Sequence, residues 1–350
     1  MIPKASLIAA GTFAILSLSV WTGGESNKAF AAGDSYTIKF GNVISVNDTQ
    51  NQGYDLFADL VEERSDGRIT VNIYPDSQLG GEREMIEATQ FGDIEMTAPS
   101  VGVLANFDKS LEVFDFPFIF EDAETAHKVL DSEIGDEMLA GLKKSGLIAL
   151  GWGENGFRNL AMVDGTVRTP NEMQGIKLRT MQVPMHIAYW QSIGAAPTPM
   201  PFPEIFTSLQ QGVVEGVENP YELLFSAKLT EPAHYLTETR HIYDPEVILI
   251  SKSFFEKLSA EDQEIIQRAA DEAIAKIRSL KMNVSDKIIV EIEAAGGTVT
   301  TLSEAERQQW IDSAIPFYKE NASKVDTEKL KAILEAAGNT TFLNAIRKSV

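Results

Sequence analysis

Beyond residue 35 the chain alternates short runs rich in β-branched and aromatic residues with longer runs whose apolar positions recur every three to four residues. Residues 36–43 read as a strand. In 53–65, Phe57, Leu60, Val61 and Arg64 fall at helical spacing, Gly67 ends the helix, and 68–74 alternates apolar and polar as a second strand. A helix at 82–91, a strand at 94–98, a helix at 122–144 and a strand at 147–152 follow. This is the pattern of a parallel sheet covered by helices.

A second series begins with a strand at 157–163. Thr169, Pro170 and Glu172 supply an N-cap, a proline at the first helical position and a capping-box partner. Strands at 176–181, 196–200 and 213–217 then alternate with helices at 184–193, 203–211 and 221–229, and a late strand spans 246–250. Ser259, with Asp262 three residues on, opens a helical run to 293 that contains no Pro or Gly. At 1.5 Å per residue such a helix is roughly 50 Å long, more than one lobe requires. A strand at 297–301 and the capping box of Ser303 and Glu306 lead into a helical C-terminus. The reading is an α/β chain of two lobes, 34–155 with 245–283 and 156–244 with 284–350. Segments that cross between two such lobes act as hinges, and the cleft they leave is the expected binding site.

Composition narrows the function. With 30 basic and 51 acidic residues the formal charge is −21, a field that repels nucleic acid and anionic lipid. An anion can bind such a chain only where a few cations are held out of solvent. The absence of cysteine removes disulfides, thiol nucleophiles and thiolate metal sites. Lys4, the uncharged stretch 5–20 and the small-x-small pattern Ala29-Phe30-Ala31 read as a secretory signal peptide over 1–31, cleaved before Ala32. Its apolar stretch falls short of the roughly 20 residues of a spanning helix.

Catalytic and cofactor patterns are missing. Gly151, Gly153 and Gly156 match the spacing of a dinucleotide fingerprint after a strand, but 157–163 reads as β where a helix should open, so the glycines are assigned to a crossover between lobes. The four histidines lie at no metal-ligand spacing, and there is no serine elbow or P-loop. The sequence calls for no cofactor, metal or catalytic residue. A secreted α/β enzyme acting on an organic acid is the alternative of another class.

Arg179 stands out. In 176–181, Ile176 and Leu178 point to one side and Lys177 and Arg179 to the other, with Arg179 at the strand's C-terminal end, where ligand crevices of α/β sheets lie. Arg158 occupies an analogous place beside the presumed hinge, and a guanidinium offers a carboxylate a rigid fork. A structural ion pair is the competing role for either arginine. Asn219 ends the strand before Pro220, where its amide either meets a ligand or caps the next helix. Phe202 is either core or pocket wall.

The chain resembles the extracytoplasmic solute receptors of TRAP transporters, of the dicarboxylate-receptor (DctP) type. The resemblance covers essentially everything beyond the leader. It is carried by Tyr74-Pro-Asp-Ser-Gln-Leu-Gly80 with the Gly-Glu that follows, Phe116-Pro-Phe118, Gly175-Ile-Lys-Leu-Arg-Thr180, Gly194-Ala-Ala-Pro-Thr-Pro-Met200, Leu209-Gln210 and Glu215-Gly-Val-Glu-Asn-Pro220. It implies a two-lobe periplasmic binding protein fold with a hinge, a cleft and a long helix spanning both lobes. It also implies that Arg179 takes the ligand carboxylate bidentately, that Arg158 adds a second contact and Asn219 orients the acid. Phe202 then lines the pocket, and Ser100 in the first lobe helps select the rest of the ligand. Glu215 and Val217 stand where the family usually has Asp and a polar Gln or Thr. The implied partners are a small organic acid and the permease subunits of an ion-gradient-driven transporter, served by a monomeric receptor. The contexts of Arg179 and Arg158 favour a sugar acid, a uronate or aldonate; C4-dicarboxylate, ectoine-like and sulfonate ligands are the alternatives.

Overall fold

A computed structural model describes residues 34–347. The signal peptide and its cleavage site lie outside the described residues. Among these, nine strands form one sheet in the order β2-β1-β3-β8-β4-β7-β5-β6, with β9 paired to β8. The strands are β1 Tyr36–Gly41, β2 Ile69–Tyr74, β3 Met96–Thr97, β4 Leu147–Met162, β5 Lys177–Thr180, β6 Ala196–Pro199, β7 Gly216–Asn219, β8 Tyr235–Ser251 and β9 Thr298–Thr300. The β1–β2, β1–β3, β5–β6 and β5–β7 pairs are parallel, as the α/β alternation predicts.

The sequence reading separates 147–152 from 157–163 and begins the late strand at 246. Instead β4 and β8 run unbroken and pair antiparallel from Leu147↔Ser251 to Met162↔Tyr235. They carry the hydrogen-bond ladder from one half of the fold into the other, so two strands, not a loop, cross between the lobes. Register shifts fall at Ala149/Gly151, Glu154/Gly156 and Arg158/Leu160, each bending and twisting the ribbon. Gly156, at φ +111°, holds a backbone conformation other residues rarely adopt. The glycines that imitate a dinucleotide fingerprint therefore lie inside a continuous strand, with no helix N-terminus for a pyrophosphate.

Among the described residues, two of the apolar cores beside this ribbon share the long helix. Ile38, Phe40, Tyr54, Phe57 and Ile248 pack with Ile266, Ala270 and Ile277 of the long helix in one. Val217, Leu224 and Leu236 pack with Ile288 and Ile292 of the same helix in the other. That helix, Ala260–Ala294, runs for 35 residues and is capped by Ser259. The Thr169 capping box forms, but it opens only the short 3-10 turn Pro170–Met173. The run 122–144 breaks into Ala123–Leu130 and Glu133–Gly141.

Candidate functional site

β5, β6 and β7 run parallel and end at the same edge of the sheet, and Arg179, Asn219 and Phe202, predicted from sequence, lie at or just beyond those ends. Lys177 and Arg179 share a face of β5, yet Lys177 is exposed while Arg179 is 2 % exposed. The difference is cover from the other half of the fold, which brings Gly102 against Met181 and Val183 and Gly81 against Pro201. Nε and Nη2 of Arg179 donate to the carbonyl of Met200 at 3.1 and 2.8 Å, which locks the guanidinium plane. Its Nη1 is buried without a partner. Burial, with the Arg158 charge nearby, lowers the Arg179 pKa to about 10. Arg179 is thus a desolvated cation with one edge of its fork free, the arrangement a carboxylate satisfies with two parallel bonds.

Arg158 lies close by with a different task. Nε and Nη2 donate to the Glu218 carboxylate at 2.6 and 2.8 Å, Nη2 also to the Glu218 carbonyl at 2.6 Å, and Nη1 to Asp244 at 2.6 Å. Burial works against its charge, but the two carboxylates outweigh burial and raise its pKa. Four of its five N–H groups are occupied, leaving one on Nη1. Asn219 is buried at the end of β7, opposite Asn159 of β4. The helix after it, Tyr221–Ser226, begins at Pro220 with no side-chain cap, and Asn219 Nδ2 has no partner. Phe202 packs on the cluster of Val43, Ile44, Met85 and Leu223, which joins residues of both halves. Ser100 donates from Oγ to Asp244 at 2.6 Å and from its backbone to Glu82 at 2.7 Å. Of the two departures, Val217 is fully buried core and Glu215 accepts from the Lys177 backbone at 2.8 Å.

Sequence reading did not single out the acidic half of the site. Asp244 and Glu246 are buried, half-buried Glu82 lies within electrostatic reach of both, and Glu82 also feels Arg179. Burial above all raises Glu82 to about 7 and Glu246 to about 8. Tyr54 and Gln50 both donate to Glu246, at 2.5 and 2.7 Å, and Asn155 donates to Asp244 at 3.0 Å. Gln50 Oε1 and Asn155 Oδ1 are left buried without partners. Two signals pointed here: the Gly-Glu after Gly80, and a pair of acids around Pro245 in an otherwise apolar strand end. The candidate site therefore offers unpartnered donors on Arg179 and Asn219 and unpartnered acceptors on Gln50 and Asn155.

Residues 40–324 match the family model of bacterial extracellular solute-binding protein, family 7, DctP. The chain belongs to this family of solute-binding receptors. The receptor is 34 % identical to the 2,3-diketo-L-gulonate-binding periplasmic protein YiaO of Escherichia coli over 277 residues, 79 % of this chain and 84 % of that one. The sugar acid binding protein DctPAm of Advenella mimigardefordensis, solved with galactonate, superposes with a TM-score of 0.85 at 30 % identity, covering 87 % of this chain and 98 % of that one. A TRAP periplasmic solute binding protein of Shewanella oneidensis with bound succinate gives 0.83 at 30 % identity, covering 87 % and 99 %. Its family and neighbours make this two-lobed receptor a binding protein and not an enzyme. Among the described residues no helix is long and apolar enough to cross a membrane.

Proposed function

We propose that this receptor captures a polyhydroxylated monocarboxylate, a sugar acid of the aldonate or uronate class, and delivers it to the permease subunits of a TRAP transporter. The single observation behind this reading is the polarity of the site. The free Arg179 edge and Asn219 Nδ2 take the carboxylate, with the last N–H of Arg158 beside them. Opposite, unpartnered Gln50 and Asn155 oxygens and the Glu82, Asp244 and Glu246 carboxyls accept from hydroxyls. A second carboxylate at that end would meet acceptor oxygens, which disfavours succinate-type ligands. Ser100 shapes the acceptor end through Asp244, and Phe202 walls the cleft. The sugar acids held by YiaO and DctPAm have this donor-rich tail.

The cleft lies between a lobe of 34–155 with 245–283 and a lobe of 156–244 with 284–350, and closes by bending of β4 and β8. The receptor acts as a monomer in the periplasm after loss of residues 1–31, with no nucleic-acid partner. Calorimetry on the mature protein tests the ligand class. Galactonate or 2,3-diketogulonate should bind at least about tenfold more tightly than succinate, a gap of roughly 1.4 kcal/mol. Tighter binding of succinate would overturn it.

A further inference from the structure

We infer that Lys281, Glu222, Asp48 and Thr49 form a closure latch that sets the receptor's affinity for its acids without touching them. This rests on the cleft-closure reading above. Among the described residues Lys281 is the one buried lysine. It sits where the long helix passes from one core to the other, between Ile277 on the first side and Val284 and Ile288 on the second. Its Nζ donates to Asp48 Oδ1 at 3.0 Å and to Glu222 Oε2 at 2.8 Å. Asp48 caps the Thr49–Arg64 helix of the first half, and Glu222 lies in the first turn of Tyr221–Ser226 in the second.

The two acids also bond across the halves. Thr49 donates from its backbone to Glu222 Oε1 at 2.9 Å and from Oγ1 to Oε2 at 3.0 Å, and Ser226 Oγ donates to Asp48 at 3.1 Å. Glu222 thus places its carboxylate on an N-terminal N–H of a 16-residue helix in the opposite half, where the helix dipole favours negative charge. Asp48 and Glu222 would repel one another in this pocket, and Lys281 holds them together. Its own charge is penalised by burial, and the two carboxylates more than offset that penalty. Opening the cleft pulls Glu222 away from Thr49 and Ser226 away from Asp48. None of these side chains supplies a partnerless group to the acid site.

A residue that acts on closure alone must shift every ligand by one common factor, because all ligands draw on the same closed population. A ligand contact shifts each acid differently. Glu222→Ala in the full receptor should therefore weaken galactonate and 2,3-diketogulonate by the same factor, roughly tenfold to a hundredfold, mostly through faster dissociation. The chain has no cysteine, so spin labels can be placed at Phe91→Cys and Val213→Cys, exposed positions in the two halves. The distance between them should shift toward the open form in Glu222→Ala. Thr49→Val, which removes only the Oγ1 bond, should move both readouts the same way to a smaller extent, and serves if Glu222→Ala does not fold. Unequal factors for the two acids, or label distances unchanged with and without acid, would overturn the latch. If neither acid binds the wild type, the ligand class fails, and the label distances in the unliganded variants still decide the latch.

Discussion

Arg179 and Glu246 are both buried ionisable groups, and their environments drive them in opposite directions. Arg179 keeps its charge on Met200 and faces an open valence. Removing it with Arg179→Ala should cost about 2–5 kcal/mol of binding, roughly 30-fold to several thousand-fold, because the carboxylate is then desolvated without a partner. Calorimetry with galactonate measures this. Glu246 and Glu82 are raised from 4.5 to about 8 and about 7. Raised carboxyl groups bind protons more tightly in the folded state, so their contribution is full below the unfolded pKa and is lost as pH rises through the folded values. His241, lowered from 6.5 by burial, works in the opposite sense only at lower pH. Urea unfolding of the unliganded receptor should thus show stability falling from about pH 5 to about pH 8, and Glu246→Gln should flatten that slope.

The Thr49–Arg64 helix meets the long helix closely at Gly53. A methyl there would overlap Ile277 Cγ1, a fully buried side chain, and lie 3.2 Å from the Ala273 carbonyl. Gly53→Ala should destabilise by about 1–3 kcal/mol in denaturant unfolding, although alanine is ordinarily the better helix former by up to about 1 kcal/mol. Element starts were legible where local chemistry decides them: Ser259, and the Ser303–Glu306 box, cap their helices as read. The first half of β8 was not legible. Its residues Glu238, Thr239, Arg240, His241 and Asp244 show no apolar alternation, because they serve other partners. His241 bonds Glu218, Asp244 bonds Arg158, and Arg240 lies over Phe157 at 4.4 Å.

Over the whole molecule, a formal charge of −21 opposes the approach of an organic acid. Long-range repulsion slows the encounter, and salt screens it. Stopped-flow association of galactonate should accordingly speed up as ionic strength rises, the reverse of a steered encounter. Once inside, the acid meets short-range charge that salt does not reach. The long helix joins both cores, so closure and stability are properties of one connected body, and the latch at Lys281 lies on that connection.

The sequence by itself determined the α/β alternation, the capped long helix and the cation at the end of β5, since periodicity, capping and strand-end position are local properties. Local position also made Arg158, Asn219 and Phe202 candidates, while Ser100 was named through the family resemblance alone. Only the tertiary structure decided what each charge does. It occupied four of the five Arg158 N–H groups with Glu218 and Asp244, left the Arg179 edge free, and gathered Glu82, Asp244 and Glu246 from distant segments into one acidic wall. Two arginines at strand ends read alike along the chain. Burial and neighbouring charge separate them, and both arise from contacts between residues far apart in sequence.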